Sequence, residues 1–220
     1  MLPDNKNKII LDLCGGTGSW SRPYKDAGYD VRVITLPDHD VREVLFHEKG
    51  LSPTFRSEPP LGYLIPWNKI YGILAAPPCT MFSLARTRAK KPRDFNEGME
   101  TVEACLRIIW EVRKRQTLAF WALENPMGYL RQFLGKPPFT FDPWEFGDPY
   151  TKKTDIWGYY NAPKKKFSSI EDVMSQEDIK RCSTNSRKLP SISELTGSKQ
   201  SARRAMTPQG FAQAFFRANK

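Results

Sequence analysis

Apolar positions along the chain fall into short runs broken by turn-forming residues, and the runs alternate between strand and helix spacing. Lys8 to Leu13 is a nearly continuous apolar run and reads as a strand. It ends in Cys14-Gly15-Gly16-Thr17-Gly18-Ser19, after which Trp20 to Ala27 can form a helix. Asp30 to Leu36 alternates as a second strand does, and Pro37-Asp38-His39-Asp40 closes it. Leu51 to Pro66 contains four prolines and reads as a surface loop. Lys69 to Leu74 is a third strand, which Pro77 and Pro78 must stop because neither can donate to a ladder. From about Asn96 to Arg115, Met99, Val102, Cys105, Leu106, Ile109 and Val112 recur at helical spacing. Thr117 to Leu123 is continuously apolar, hence a buried strand, with Glu124-Asn125-Pro126 directly after it. Phe139 to Gly147 is aromatic and proline-rich, and Tyr150 to Gly158 is a basic cluster feeding a short strand. Thr207-Pro208 predicts an N-cap and a first-turn proline for a short helix carrying Phe211, Phe215 and Phe216.

Strand, glycine turn, helix is the opening unit of a nucleotide-type α/β fold, in which the backbone approaches a ligand closely and the helix N-terminus faces it. The turn does not follow the dinucleotide pattern Gly-x-Gly-x-x-Gly. In an open α/β sheet, ligands and chemistry collect at the C-terminal edge of the strands. Two reactive side chains are expected on that edge. Cys79 follows the rigid Ala75-Ala76-Pro77-Pro78 strand end and is a candidate nucleophile; Glu124 is a carboxylate at the end of a buried strand, expensive there without a partner or a task. Asp38 and Asp40 follow the second strand and have two readings each: a ligand for a ribose diol, or a turn residue and N-cap for Val41 to His47.

Composition narrows the classes. With 40% hydrophobic and 26% charged residues the chain has the make-up of a soluble globular protein, and the 18 prolines imply many loops. The polar N-terminus resembles no signal peptide and no stretch is long enough to span a membrane, so a cytoplasmic setting is expected. Four cysteines, Cys14, Cys79, Cys105 and Cys182, match no zinc or thioredoxin spacing, and His39 and His47 are the only histidines, so neither a structural metal nor a Ser-His-Asp triad is expected. Cys105 lies in the apolar helical stripe and reads as core. The net charge of +10 is concentrated beyond Lys152, which suggests a polyanionic partner, most simply nucleic acid. Arg86 to Phe95 is a second basic stretch, read as an irregular loop suited to phosphate contact.

Taken in order, these motifs resemble those of the DNA cytosine-5 methyltransferases. The resemblance rests on Asp12-Leu13-Cys14-Gly15-Gly16-Thr17-Gly18-Ser19-Trp20, on Ala76-Pro77-Pro78-Cys79 with Phe82-Ser83, and on Glu124-Asn125-Pro126. It extends to Lys152-Lys153-Thr154 and to Thr207-Pro208-Gln209-Gly210-Phe211-Ala212. It implies a Rossmann-like class I methyltransferase sheet flanked by helices, with S-adenosylmethionine as methyl donor and cytosine-containing DNA as partner, in a prokaryotic or viral, nucleoid-associated setting. Cys79 is then the nucleophile, with Glu124 and Asn125 completing the catalytic set. Asp12, Cys14, Gly15, Gly16, Thr17, Gly18, Trp20, Asp38, Asp40 and Pro77 are expected at the cofactor, and Ser83, Arg86, Arg88, Lys152 and Lys153 at the nucleic acid. The resemblance divides the chain into a catalytic domain (1–158), a reduced target-recognition or linker segment (159–206) and a C-terminal helix returning to the catalytic domain (207–220). Here the chain departs from the family, which usually inserts a large recognition domain at that point. Short-sequence specificity, or a partner subunit that supplies specificity, is therefore expected. Two alternatives stand beside this reading: a pyrimidine-C5 methyltransferase acting on RNA, single strands or a nucleotide, and an inactive nucleic-acid-binding module.

Overall fold

A computed structural model describes residues 5–54, 63–84, 86, 89–173, 189–192 and 205–220. Four strands predicted from apolar runs form the parallel part of a six-stranded sheet: β1 (Ile9–Leu13), β2 (Asp30–Ile34), and two more separated from them by a small subdomain. That subdomain is an antiparallel sheet of β3 (Leu45–Phe46), β4 (Gly50–Ser52) and β5 (Ile65–Pro66). It corrects the expectation of a loop over Leu51 to Pro66: both ends of that stretch pair in a ladder, with Leu51 opposite Ile65 and both side chains buried. Only the proline-dense middle, 55–62, lies outside the described residues.

The main sheet continues with β6 (Ile70–Ala75), β7 (Phe120–Pro126), β8 (Phe139–Phe141) and β9 (Thr154–Tyr159), in the order β2-β1-β6-β7-β9-β8. Strands β2, β1, β6 and β7 run parallel, whereas β9 is antiparallel to both β7 and β8. The result is a mixed α/β sheet flanked by helices, compatible with a Rossmann-like fold. Strand order reverses at β1, which has β2 on one side and β6 on the other; such a switch point opens a crevice at the C-terminal ends of the strands.

Alternation along the strands sorts the core into two layers. Ile9, Leu11, Leu13, Ile73 and Leu123 face the 21-residue helix α2 (Phe95–Arg115), which buries Val102, Cys105, Ile108, Ile109 and Val112 against them. Asp94 caps that helix by accepting from the Glu97 amide at 3.0 Å, and Arg113, Lys114 and Arg115 fill its last turn, where the helix dipole favours cations. Ile10, Leu74, Phe120 and Ala122 face the opposite layer, built from α1 (Arg22–Asp26) and the C-terminal helix α4 (Gln209–Ala218), the short α3 (Arg131–Leu134) following β7 in the chain. Phe211 of α4 stacks on Phe141 at 3.9 Å between ring centres, and Phe215 meets Trp20 edge-on at 5.4 Å. Thr207 does not cap this helix. The cap position belongs to Pro208, whose carbonyl accepts from the Ala212 amide, while the Thr207 amide donates to Ser19 Oγ at 3.0 Å. The C-terminal helix is thereby tied to the glycine turn.

Among the described residues no helix is long and apolar enough to cross a membrane.

Candidate functional site

Register places the two predicted reactive groups on one edge. Leu13 pairs with Ala75 and Ala75 with Leu123, so the chain beyond Ala75, leading to Cys79, leaves the sheet level with Glu124. One expectation needs correcting. β7 does not stop at Leu123 but runs through Glu124, Asn125 and Pro126, because β9 pairs with them through Ile156, Asp155 and Thr154. An antiparallel partner from about thirty residues downstream therefore holds the acidic motif.

The Cys79 loop is fastened at both ends. Upstream, Asn125 Nδ2 donates to the Pro77 carbonyl at 2.9 Å, joining the end of β7 to the loop after β6. Downstream, the Cys79 carbonyl accepts from the Phe82 and Ser83 amides at 3.0 and 2.8 Å, and the Phe82 carbonyl accepts from the Tyr129 amide at 2.9 Å. Ser83 bridges to Gly128, where a Cβ would lie 2.2 Å from the Phe82 carbonyl oxygen, so only glycine fits. The Phe82 ring is buried between Phe95 and Phe133. Arg93 closes the arrangement by donating to the Met81 carbonyl at 3.0 Å with its guanidinium over the Tyr129 ring. Cys79 itself is a half-buried thiol.

Glu124 is 5% exposed, and its buried Oε1 has no hydrogen-bond partner. Burial raises its pKa, Lys152 acts in the opposite direction, and Asp155 adds to the rise. The Lys152 ammonium stands 3.9 Å from Glu124 Oε1, with its side chain only 9% exposed, and also reaches the Met206 carbonyl at 3.5 Å. Lys152 was expected at the nucleic acid; it turns inward to face the carboxylate. Lys153 is exposed. Arg86 folds back onto its own loop, donating to the Lys91 carbonyl at 2.7 Å, and Arg88 lies outside the described residues. Behind Glu124, the fully buried Asp155 accepts two 2.6 Å bonds from Arg131 and one of 2.7 Å from Thr140. Asn125 Oδ1 is buried without a partner.

At β1 the glycine turn has Gly16 and Gly18 at φ 56° and 69°, the left-handed region that glycine enters freely. Gly18 N donates to the Gly15 carbonyl, and Gly16 N donates to Thr35 Oγ1. Asp12 is buried beneath the turn: Oδ2 accepts from Ser21 Oγ at 2.5 Å, Oδ1 has no partner, and burial raises the pKa to about 6 against the pull of that bond. Thr17, Gly18 and Ser19 line a cavity of about 530 Å³ together with Tyr150, Thr207 and Pro208, a volume typical of small-molecule sites. Burial, Asp148 and Glu124 push the Tyr150 phenol well above its ordinary value.

Three expected cofactor residues are occupied elsewhere. Asp40 is buried and saturated by Arg42, whose amide, Nε and Nη2 all donate to it, so it caps the turn Val41–Glu43 and is not open to a ribose; Asp38 remains exposed. Trp20 is 1% exposed within the aromatic layer. Cys14 packs with its sulfur 4.0 Å from that of Cys105 on α2. Sequence reasoning missed Ser21, Tyr150 and the Arg131–Asp155 pair. A serine at the start of a helix is a visible signal for the first; nothing local marks the others, which depend on β9 entering the sheet beside β7.

Among the described residues no group of three or more His, Cys, Asp or Glu side chains is arranged to hold a metal ion. No protein-family model matches the chain, and neither does any curated protein.

Proposed function

We propose that the chain is a pyrimidine-C5 methyltransferase that acts on cytosine in DNA, with S-adenosylmethionine as donor. One observation carries the reading: a half-buried thiol and a buried carboxyl, whose Oε1 has no hydrogen-bond partner and faces the Lys152 ammonium, stand at the ends of adjacent parallel strands, joined by the Asn125–Pro77 bond.

Carbon 5 of cytosine is a weak nucleophile. Addition of the Cys79 thiolate at carbon 6 makes the ring an enamine, with its electron density at carbon 5. Negative charge then builds toward nitrogen 3, and a carboxyl that is protonated there relieves it. Burial favours the protonated form of Glu124, which suits it to donate to nitrogen 3 and accept from the amino group. Lys152 opposes that rise. Asn125 positions the thiol by fixing Pro77. When the carbon 5 proton leaves, the carbon–sulfur bond breaks and Cys79 is released.

The donor supplies an electrophilic methyl group. The chain's residues fit it in two respects: the cavity against Thr17 to Ser19, and the buried carboxyl oxygen of Asp12 left unpaired under the turn. Thr17, Gly18, Tyr150 and Pro208 would hold it. Duplex substrate must present its base by flipping. Within 159–173 the chain is fastened to the main body, since Asn161 exchanges hydrogen bonds with Asn219 and Lys165 pairs with Glu145.

The test is transfer of labelled methyl from S-adenosylmethionine to duplex DNA, RNA and deoxycytidine nucleotides in parallel. Cys79→Ser is expected to abolish transfer, and 5-fluorocytosine DNA to trap an adduct on Cys79. Full activity in Cys79→Ser rules out the mechanism; transfer to RNA or nucleotide but not DNA reassigns the substrate.

A further inference from the structure

The pair Cys14 and Cys105 plays no part in the chemistry above. Their sulfurs are 4.0 Å apart although 91 residues separate them in sequence. Cys105 is fully buried in the face of α2 that packs on the sheet, and a helix of 21 residues is a rigid platform. Cys14 is half-buried and opens the glycine turn with φ 57°, a conformation that a non-glycine residue adopts rarely. One sulfur is thus fixed and the other sits on a turn reached from solvent.

We propose that Cys14 and Cys105 form an oxidisable dithiol, a modification site at which a peroxide closes a disulfide that fastens the glycine turn to α2. The Cys14 sulfur attacks one peroxide oxygen, the O–O bond breaks, and water leaves a sulfenic acid on Cys14. The Cys105 sulfur then attacks the Cys14 sulfur; the S–S bond forms, the S–O bond breaks, and a second water departs. Two thiols lose two electrons and one peroxide becomes two waters. Contact with Cys14 and burial both hold Cys105 as a thiol, so direct attack by the oxidant falls on Cys14. An S–S bond is about 2.05 Å long, so the sulfurs must approach by roughly 2 Å, and the turn moves more readily than the helix core.

The functional consequence rests on the cofactor reading above. Cys14 lies three residues before Thr17, which lines the cavity, and drawing Cys14 toward α2 pulls the turn away from that cavity. Oxidation is expected to weaken cofactor binding by tenfold or more, reversibly.

The experiment treats the full chain with hydrogen peroxide, maps disulfides by mass spectrometry of non-reduced peptides, and titrates S-adenosylhomocysteine calorimetrically before oxidation, after it, and after reduction with dithiothreitol. A Cys14–Cys105 peptide that dithiothreitol removes is the expected result, absent in Cys14→Ser and in Cys105→Ala. Irreversible sulfinic acid on Cys14, or linkage of Cys14 to another cysteine, overturns the site. An intact linkage with unchanged S-adenosylhomocysteine affinity overturns the regulatory consequence. Reduced protein that binds no S-adenosylhomocysteine refutes the cofactor reading instead, and the peptide map still decides the dithiol.

Discussion

Asp12 offers a quantitative test of how the glycine turn is built. Its carboxyl is fully buried, has one hydrogen bond from Ser21, and titrates at about 6 against an ordinary 3.8. The folded protein therefore holds this proton more tightly than the unfolded chain. Stability contributed by the site is full below the unfolded value and is lost as pH rises through the folded one. Linkage between those two values gives a penalty of about 0.6 kcal/mol at pH 4, about 1.6 at pH 5 and about 3 at pH 7. Asp12→Asn keeps an acceptor for Ser21 and cannot ionise. Urea denaturation of both proteins from pH 4 to pH 8 isolates the effect, because every other titrating group is shared and cancels. The variant is expected to gain on wild type by about 2 to 3 kcal/mol between pH 4 and pH 7 and to level off above that. A difference that stays constant across this range would refute the claim that Asp12 is a buried acid with a raised pKa.

Other perturbations address the catalytic edge. Lys152→Met removes the charge that counteracts burial at Glu124, so the folded pKa of Glu124 rises further and the alkaline limb of the kcat/KM profile moves to higher pH; an unmoved limb separates Lys152 from Glu124. Arg131→Met leaves the buried Asp155 with Thr140 as its remaining side-chain donor and should cost about 2 kcal/mol in chemical denaturation, discounted from the buried-pair range of about 3 to 5 because the guanidinium is partly exposed. A loss below 0.5 kcal/mol, the size of an ordinary surface substitution, would mean that Asp155 finds water or another donor. Gly128→Ala forces a methyl against the Phe82 carbonyl and is expected to destabilise by about 1 to 3 kcal/mol. Methyl transfer should fall more steeply than thermal stability, since the same contact fixes the Cys79 loop; parallel losses would show that the loop is not held there.

Local pattern and tertiary structure contributed to different parts of this protein. Strands β1, β2, β6 and the core of β7, helix α2 and the aromatic face of α4 were all legible from apolar spacing, because burial on one or two faces imposes a period that the chain must carry. Cys79 and Glu124 could be assigned to one edge for the same reason: parallel strands joined by crossovers end on the same side. The subdomain of β3, β4 and β5 was not legible, since its strands are two or three residues long and a proline-rich stretch hides their pairing. Nor was the fate of the polar side chains. Asp40 and Asp38 are equally good ribose ligands by position, and only the approach of Arg42 shows that Asp40 is already saturated. Lys152 is a surface cation by composition, yet the entry of β9 beside β7 turns it toward Glu124. Cys14 and Cys105 are unrelated in sequence and meet because β1 and α2 pack in one layer. Hydrophobic periodicity is a property of each segment and can be read from it alone. The partner of a buried charge or thiol comes from a distant segment, and only the folded chain brings the two together.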